Sequence, residues 1–241
     1  MAKLLSLVYS YYENAEMYLR QLQEWESYSD RVKRNVSFFV TDDCSPRTPL
    51  SGLRSSNKIN LHRYEITKKA EWNWLACRNI GSKYAKSRWV LVTDMDHLIR
   101  SQDMEKLIDF LRSPDPRMNY VYLFTRKDAP DYVDYKPHND SFMMTKKMYW
   151  RIGGYDEELS GHYGTSGRYR NRAFSIAERN VRLDIPLIRY PREIISDAST
   201  TDFVRKGEGR DPDAIRRIEK KKAKEGRTNE ILTMSFPHRR L

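Results

Sequence analysis

Apolar residues follow two rhythms along the first half of the chain. Lys3–Tyr9 (KLLSLVY) is a short run rich in Leu, Val and Tyr and predicts a buried strand. Ala15, Tyr18, Leu22 and Trp25 then recur at spacings of three and four, the stripe of an amphipathic helix. Val36–Val40 (VSFFV) predicts a second strand, ending in Thr41-Asp42-Asp43-Cys44-Ser45-Pro46. A third is expected at about Ile59–Arg63, before a helix with Ala76, Ile80 and Tyr84 on one face. Arg88–Thr93 (RWVLVT) predicts a fourth strand, which runs straight into Asp94-Met95-Asp96. A helix around Asp103–Leu111 and a strand at Tyr120–Thr125 come next.

Strands alternating with helices predict an α/β domain with a mostly parallel sheet covered on both faces. Ligands of such sheets bind beyond the carboxyl ends of the strands. Asp42-Asp43 and Asp94/Asp96 both fall at predicted carboxyl ends, so the two acidic turns are expected to converge at one mouth of the sheet. The second half is less regular, with Gly153-Gly154, a Gly/Ser/Tyr/Arg-rich segment from Gly161 to Tyr169 and a short apolar run at Leu183–Ile188. Asp211 and Pro212 signal the start of a charged helix reaching about Glu225, too poor in apolar residues for deep burial. No repeat or linker interrupts this order, which predicts a single domain over residues 1–241.

Charge changes the picture. Lys and Arg total 44 against 33 Asp and Glu, a net +11. His162–Arg192 holds seven arginines, no lysine and two acids; Arg205–Arg227 holds ten basic and five acidic residues. Such a field attracts polyanions (nucleic acid, anionic lipid, phosphorylated glycans), although a solvated basic surface has the same composition. The longest apolar runs are far shorter than a bilayer span, so no transmembrane segment is expected, which leaves peripheral contact with anionic lipid open. No basic segment followed by an apolar stretch opens the chain, and the two cysteines, Cys44 and Cys77, suggest no pair. A reducing, cytoplasmic setting follows, host cytoplasm for a phage-borne chain.

Asp94-x-Asp96 is the sharpest chemical feature. Two carboxylates just past a strand can turn toward one Mg²⁺ or Mn²⁺, which prefer hard oxygen ligands and commonly share them with substrate phosphates. Taken alone the pattern also fits a loop or cap pair. Asp42-Asp43 suits a uracil N3–H or a ribose hydroxyl, or else an Asx-type turn before Ser45-Pro46. Trp72, Trp74, Tyr149 and Trp150 suit stacking on a base or sugar and suit a core equally.

The ordered segments SLVYSYYENAEMYL, FFVTDDCSP, NWLACRNIGSKYAKSRWVLVTDMDHLI and FMMTKKMYWRIGGYDEEL, over about residues 4–170, resemble family 2-like glycosyltransferases of the GT-A fold. The resemblance implies a Rossmann-like sheet whose first half, residues 1–100, binds a nucleotide sugar, with UDP the expected nucleotide, while residues 101–241 meet the acceptor and carry the basic C-terminal helix. It implies that Tyr9, Ser10 and Tyr11 line the nucleotide pocket beside Asp42 and Asp43. Cys44 stands where glycine is usual. Arg78, Asn79 and Gly81 match an Arg-Asn-x-Gly element, with Arg78 neutralising phosphate or holding the carboxylates in place. Asp94 joins the nucleotide-sugar site, and Asp94 and Asp96 match the metal motif, with His238 a candidate third ligand or a surface histidine.

One departure matters. Where many members carry an acid after the Gly-Gly-Tyr-Asp-Glu element, this chain reads Gly161-His162-Tyr163-Gly164-Thr165-Ser166-Gly167. Inverting transfer needs a base for the acceptor hydroxyl. Asp156, Asp140, Glu157 and His162 are the nearby groups, and Asp156 suits a backbone turn as well. The leading expectation is a metal-dependent transferase moving a sugar from a UDP-sugar to a hydroxyl. Arg168, Tyr169, Arg170 and Arg172, interleaving cations with a ring, make a polyanionic acceptor attractive, hydroxymethylated pyrimidine in DNA above all. A cell-surface glycan or lipid-linked acceptor is the alternative. A catalytically inactive nucleotide- or nucleic-acid-binding protein on the same scaffold is the other.

Overall fold

The computed structural model describes residues 3–70, 72–162, 164–199, 211–227 and 234–241. β1 (Leu5–Tyr11), α1 (Ala15–Ser27), α2 (Asp30–Asn35), β2 (Val36–Asp42), β3 (Leu61–Ile66), α3 (Trp74–Tyr84) and β4 (Trp89–Asp94) form the first half. β5 (His97–Leu98), α4 (Ser101–Arg112), β6 (Tyr120–Asp128), β7 (Val133–Tyr135), β8 (Phe142–Thr145), α5 (Lys146–Arg151), α6 (Ser166–Ile176), β9 (Arg179–Arg189), α7 (Pro212–Lys224) and β10 (His238–Arg240) complete it. Among the described residues the strands make one sheet in the order β10-β3-β2-β1-β4-β8-β6-β9-β5, with β7 paired to β6.

Alternation along β1 explains how two layers grow on this sheet. Leu5, Leu7, Tyr9 and Tyr11 point to one face, where they pack with Tyr18, Leu22 and Trp25 of α1 and Met104, Leu107 and Ile108 of α4. Val8 points to the other and joins Leu75, Ala76 and Ile80 of α3 and Tyr149 of α5. Asp211 opens α7 by accepting from the backbone N–H groups of Asp213 and Ala214 at 2.9 and 2.8 Å, the role its sequence signals.

The parallel character lies in β3-β2-β1-β4. Beyond β4 the sheet is mixed, because β8 inserts antiparallel to both β4 and β6. The segment from Gly161 to Tyr169, irregular in composition, contributes the start of helix α6, and the apolar run at Leu183–Ile188 is the inner part of an eleven-residue strand, β9. Tyr163 and residues 205–210 of the second basic stretch lie outside the described residues.

Strand register brings the acidic turns together. Ser10 pairs with Asp94 on one side of β1, and Tyr11 pairs with Asp42 on the other. Asp43 and Asp96 therefore leave the sheet at the same end, from the two strands that flank β1. Gly81 sets how closely α3 lies on this sheet: a Cβ there would meet Val8 Cγ1 at 2.5 Å. Valine is β-branched and has no spare rotamer to yield. Gly81→Ala is therefore expected to lower stability by about 1–3 kcal/mol despite alanine's better helix propensity, measured by urea denaturation.

Candidate functional site

A cavity of about 450 Å³ opens at the carboxyl ends of β1, β2 and β4. Ser10, Tyr11, Asp43, Trp72 and Trp74 line it, together with Arg78, Asp94, Asp96, His97, His138 and Asp140. Asp43 and Asp96 thus share one cavity.

The two neighbouring aspartates of β2 divide their work. Asp42 is buried, and its carboxylate accepts from the backbone N–H of Ser45 at 2.9 Å and of Leu50 at 2.7 Å. It is an Asx-type loop anchor with no face on the cavity, which corrects its expected place in the nucleotide site. Asp43 accepts from the backbone N–H of Asn73 at 2.9 Å, so it sits at the N-terminus of α3, where the helix dipole favours an anion. Cys44, in the position where glycine is usual, has φ 56°, the left-handed conformation that glycine adopts without strain. Tyr9 also leaves the expected list. Its ring is buried in the core against Trp25, with centroids 5.2 Å apart.

Arg78 takes the second of its two expected roles. Its guanidinium is buried between the rings of Trp74 and Tyr155, at 4.7 and 5.4 Å. It donates to Asp94 Oδ1 at 2.6 Å, Tyr155 Oη at 2.7 Å and the Asp140 carbonyl at 2.9 Å. Asn79 uses its whole amide: Nδ2 donates to the Tyr155 carbonyl and Glu157 Oε1, while Oδ1 accepts from Tyr149 Oη and the Tyr155 N–H. Gly154 has φ 68°, and a Cβ there would lie 2.9 Å from Asn79 Oδ1. The Arg-Asn-x-Gly and Gly-Gly-Tyr-Asp-Glu elements are therefore two halves of one clamp.

His138, which the sequence reading did not single out, stands at the centre of the acidic turn. Its Nε2 lies 3.3 Å from Asp94 Oδ2, its Nδ1 is 2.7 Å from Ser141 Oγ, and its ring stacks on His97 at 4.3 Å. Burial first, and the His97 ring next, push its pKa down to about 3, so the ring is neutral and keeps a lone pair. Asp94 is held below the usual carboxylate range: burial opposes ionisation, but Arg78, His138 and His97 outweigh it. One donor atom each from Asp94, His97 and His138 lies within 4.8 Å of the others, a spacing and chemistry that fit one divalent cation. Asp96 Oδ1 is 2.8 Å from His97 Nδ1, at the rim of that set. Arg126 Nη1 lies 3.2 Å from His97 Nε2.

His238 is elsewhere. It lies in β10 at the far side of the sheet, 3.0 Å from Tyr84 Oη and from the Phe236 carbonyl, and the structure separates it from Asp94.

Among the expected bases the structure separates Asp140 from the rest. Asp140 lines the cavity; burial raises its carboxyl above the ordinary range, with Arg78 opposing the shift and Asp94 adding to it. Asp156 caps a short 3-10 turn through the Glu158 N–H and pairs with Lys222 of α7. Glu157 is buried, bonded to Asn79 Nδ2 at 2.8 Å and to the Ser235 N–H at 2.7 Å. Both acids are consumed by the fold, which corrects their place among the bases.

The arginine-rich acceptor segment is corrected too. Tyr169 is 1% exposed, stacked on Tyr155 at 4.2 Å, so it has no face for a base. Arg168 pairs with Glu219 of α7, and Arg172 donates to the Gly154 carbonyl at 2.8 Å. Arg170 alone reaches toward the cavity, 3.5 Å from Asp140 Oδ1. Of the four larger aromatics, Trp72 and Trp74 line the cavity, while Tyr149 and Trp150 pack in the core beneath α3.

The profile of glycosyl transferase family 2 matches residues 16–178, and the chain belongs to that family. Crystal structures of S. aureus TarS share its fold. TarS 1–349 superposes with a TM-score of 0.64 at 18% identity, over 81% of this chain and 63% of that one. The same protein in complex with UDP-GlcNAc gives 0.61 at 17% identity, over 78% and 59%. The mannosyltransferase PcManGT from Pyrobaculum calidifontis, in complex with GDP-Man and Mn²⁺, gives 0.59 at 14% identity, over 78% and 57%. An uncharacterized glycosyltransferase of Haemophilus influenzae is 25% identical over 97 residues, 40% of this chain and 31% of its own length. The chain thus spans about a third of that curated relative. Among the described residues no helix is long and apolar enough to cross a membrane.

Arg78→Ala removes a buried cation and strands Tyr155 Oη, the Asp140 carbonyl and Asp94 at once. It is expected to cost about 3 kcal/mol of stability, read from the shift in a urea unfolding curve.

Proposed function

We propose that this chain transfers a sugar from a nucleoside-diphosphate sugar, with UDP as the nucleotide, to a hydroxyl acceptor, and that Asp140 takes the acceptor's proton. The observation that carries this reading is the shared cavity, in which Asp43 faces Asp94, Asp96, His138 and Asp140. The UDP-GlcNAc and GDP-Man complexes of its structural neighbours support a nucleotide-sugar donor.

Asp43 and the N-terminus of α3 hold the nucleoside, with the Trp72 and Trp74 rings beside it. Asp94, His97 and His138, with Asp96 at the rim, would hold a divalent cation, which would offset the charge of the departing nucleotide. Two imidazoles in the set favour Mn²⁺ over the oxygen-seeking Mg²⁺. Arg126 is buried, lines the cavity beside His97 and pairs with no carboxylate among the described residues, so it faces the diphosphate. Asp140 lines the same cavity as Asp43, and the Arg78 contact to its carbonyl fixes its backbone. It removes the proton as the acceptor oxygen attacks the anomeric carbon.

The acceptor is the finer part of the proposal. Hydroxymethylated DNA loses its expected stacking ring in Tyr169, yet Arg126, Arg170 and Arg189 still give this end of the molecule a cationic rim. A mass-spectrometric screen of UDP-sugars against hydroxymethylated DNA and simple glycans identifies the acceptor. With it, Asp140→Asn should lower turnover by roughly 10²–10⁴-fold while UDP binding persists. Asp96→Ala and chelation of divalent ions should each abolish transfer, and Mn²⁺ should restore the chelated wild type. Transfer by Asp140→Asn at the wild-type rate would remove the assigned base, and full activity in chelator would remove the cation.

A further inference from the structure

A second cleft, of about 590 Å³, shares no residue with the donor cavity. It lies where β1, β2 and β3 begin, on the face that carries α3, and the β10 edge closes its side. A seven-residue strand spans roughly 20 Å, so the cleft and the donor cavity sit at opposite ends of the sheet. No product or metal of the donor site reaches it.

Its chemistry is one-sided. Lys3, Lys86 and Arg240 line it, together with His62 and His238, and no carboxylate does. Among the described residues none of these three cations forms an ion pair; Lys3 Nζ donates to the Lys33 carbonyl and Arg240 Nη2 lies 3.3 Å from His62 Nδ1. The field is strong enough to act on its neighbours: burial first, then Arg240 and Lys86, hold the His62 ring below its ordinary pKa. Several other basic residues of this chain are matched, Arg168 by Glu219, Arg189 by Asp128 and Lys222 by Asp156.

The cleft also presents rings. His62 stacks on the buried Phe39 at 4.6 Å and 15°, and Tyr84 stacks on the buried Tyr64 at 4.8 Å and 9°. Each ring is thereby held rigid from behind, and Tyr84 remains 38% exposed. Cations that meet phosphate beside fixed ring faces are the two elements of sequence-tolerant single-strand binding. A flat lipid surface would instead favour protruding cations and apolar side chains over a concave floor of rings.

We propose that this cleft binds a single-stranded nucleic-acid segment, with phosphates on Lys3, Lys86 and Arg240 and bases against His62 and Tyr84. The site is independent of the sugar-transfer reading, because it uses neither the cavity nor its ligands.

The test is fluorescence anisotropy of a labelled thymidine oligomer of about 12 nucleotides with the full chain. Three phosphate contacts give a slope of log affinity against log salt of about −2, a loss of roughly twentyfold between about 50 and 200 mM salt. Lys86→Glu with Arg240→Glu should bring that slope to about −0.7 or shallower. Tyr84→Ala should weaken binding by roughly fivefold with the slope kept. Both variants should retain UDP-sugar turnover, since none of these side chains touches the donor cavity, although Tyr84→Ala also loses its stack on Tyr64 and should melt a few degrees lower. No binding at low salt, or wild-type slopes in the charge-reversed variant, overturns the proposal. So does a chain that ignores the oligomer but sediments with phosphatidylserine vesicles through Lys86 and Arg240.

Discussion

A guanidinium with no access to water organises the whole functional end of this molecule. Moving a cation out of water costs several kcal/mol unless well-placed partners surround it. Arg78 has Asp94 from β4, the Asp140 carbonyl from the turn before β8, and Tyr155 from the segment after α5. Those partners come from three separate parts of the chain, so satisfying one charge fixes where β4 ends, where the β8 turn lies and how the Gly-Gly-Tyr segment folds back. Asn79, one residue on, repeats the device with neutral groups, and Glu157 passes it to the Ser235 backbone. The cavity is thus held by bonds made behind its wall.

This arrangement decides which acids remain available for chemistry. Acidic residues are abundant near the site, but a carboxylate that already accepts two backbone N–H bonds, as Asp42 does, has little left to offer a ligand. Asp156 and Glu157 are spent in the same way. Asp43, Asp94, Asp96 and Asp140 differ because each keeps part of its carboxylate on the cavity. Two adjacent aspartates can therefore have unlike roles, since successive side chains leave a strand on opposite sides.

The parallel half of the fold was legible because its strands are short apolar runs and its helices carry clear three- and four-residue stripes. The convergence of the acidic turns followed from strand ends alone. Less was legible after Asp96. Helix α6 buries only Tyr169 and Ala173, a single i, i+4 pair hidden in a run of Arg, Ser and Gly, so its period barely registers. β9 begins with exposed residues and becomes continuously buried only at Ile185, so only its inner part showed as an apolar run. The partners that spend an acid were beyond reach for another reason. Asn79 and Glu157 are 78 positions apart, and Lys222 and Asp156 are 66 apart. No local pattern carries such information. His138 left only the faint signal of a histidine two residues before Asp140.

Cation density along the chain proved a poor guide to the field around the molecule, for a physical reason. The runs at His162–Arg192 and in α7 are rich in arginine and lysine, but the fold sets Glu219, Asp156 and Glu158 against them. Lys3, Lys86 and Arg240 are scattered over the whole sequence, one at each end and one between, and no run announces them. The sheet gathers them because β3 lies between β2 and the returning β10, and because α3 delivers Lys86 to the strand starts. A charge acts through its spatial neighbours, and at separations beyond about 10 Å salt screens it. A cation that already has a counter-ion offers a phosphate less than one that has none, wherever the two stand in the sequence.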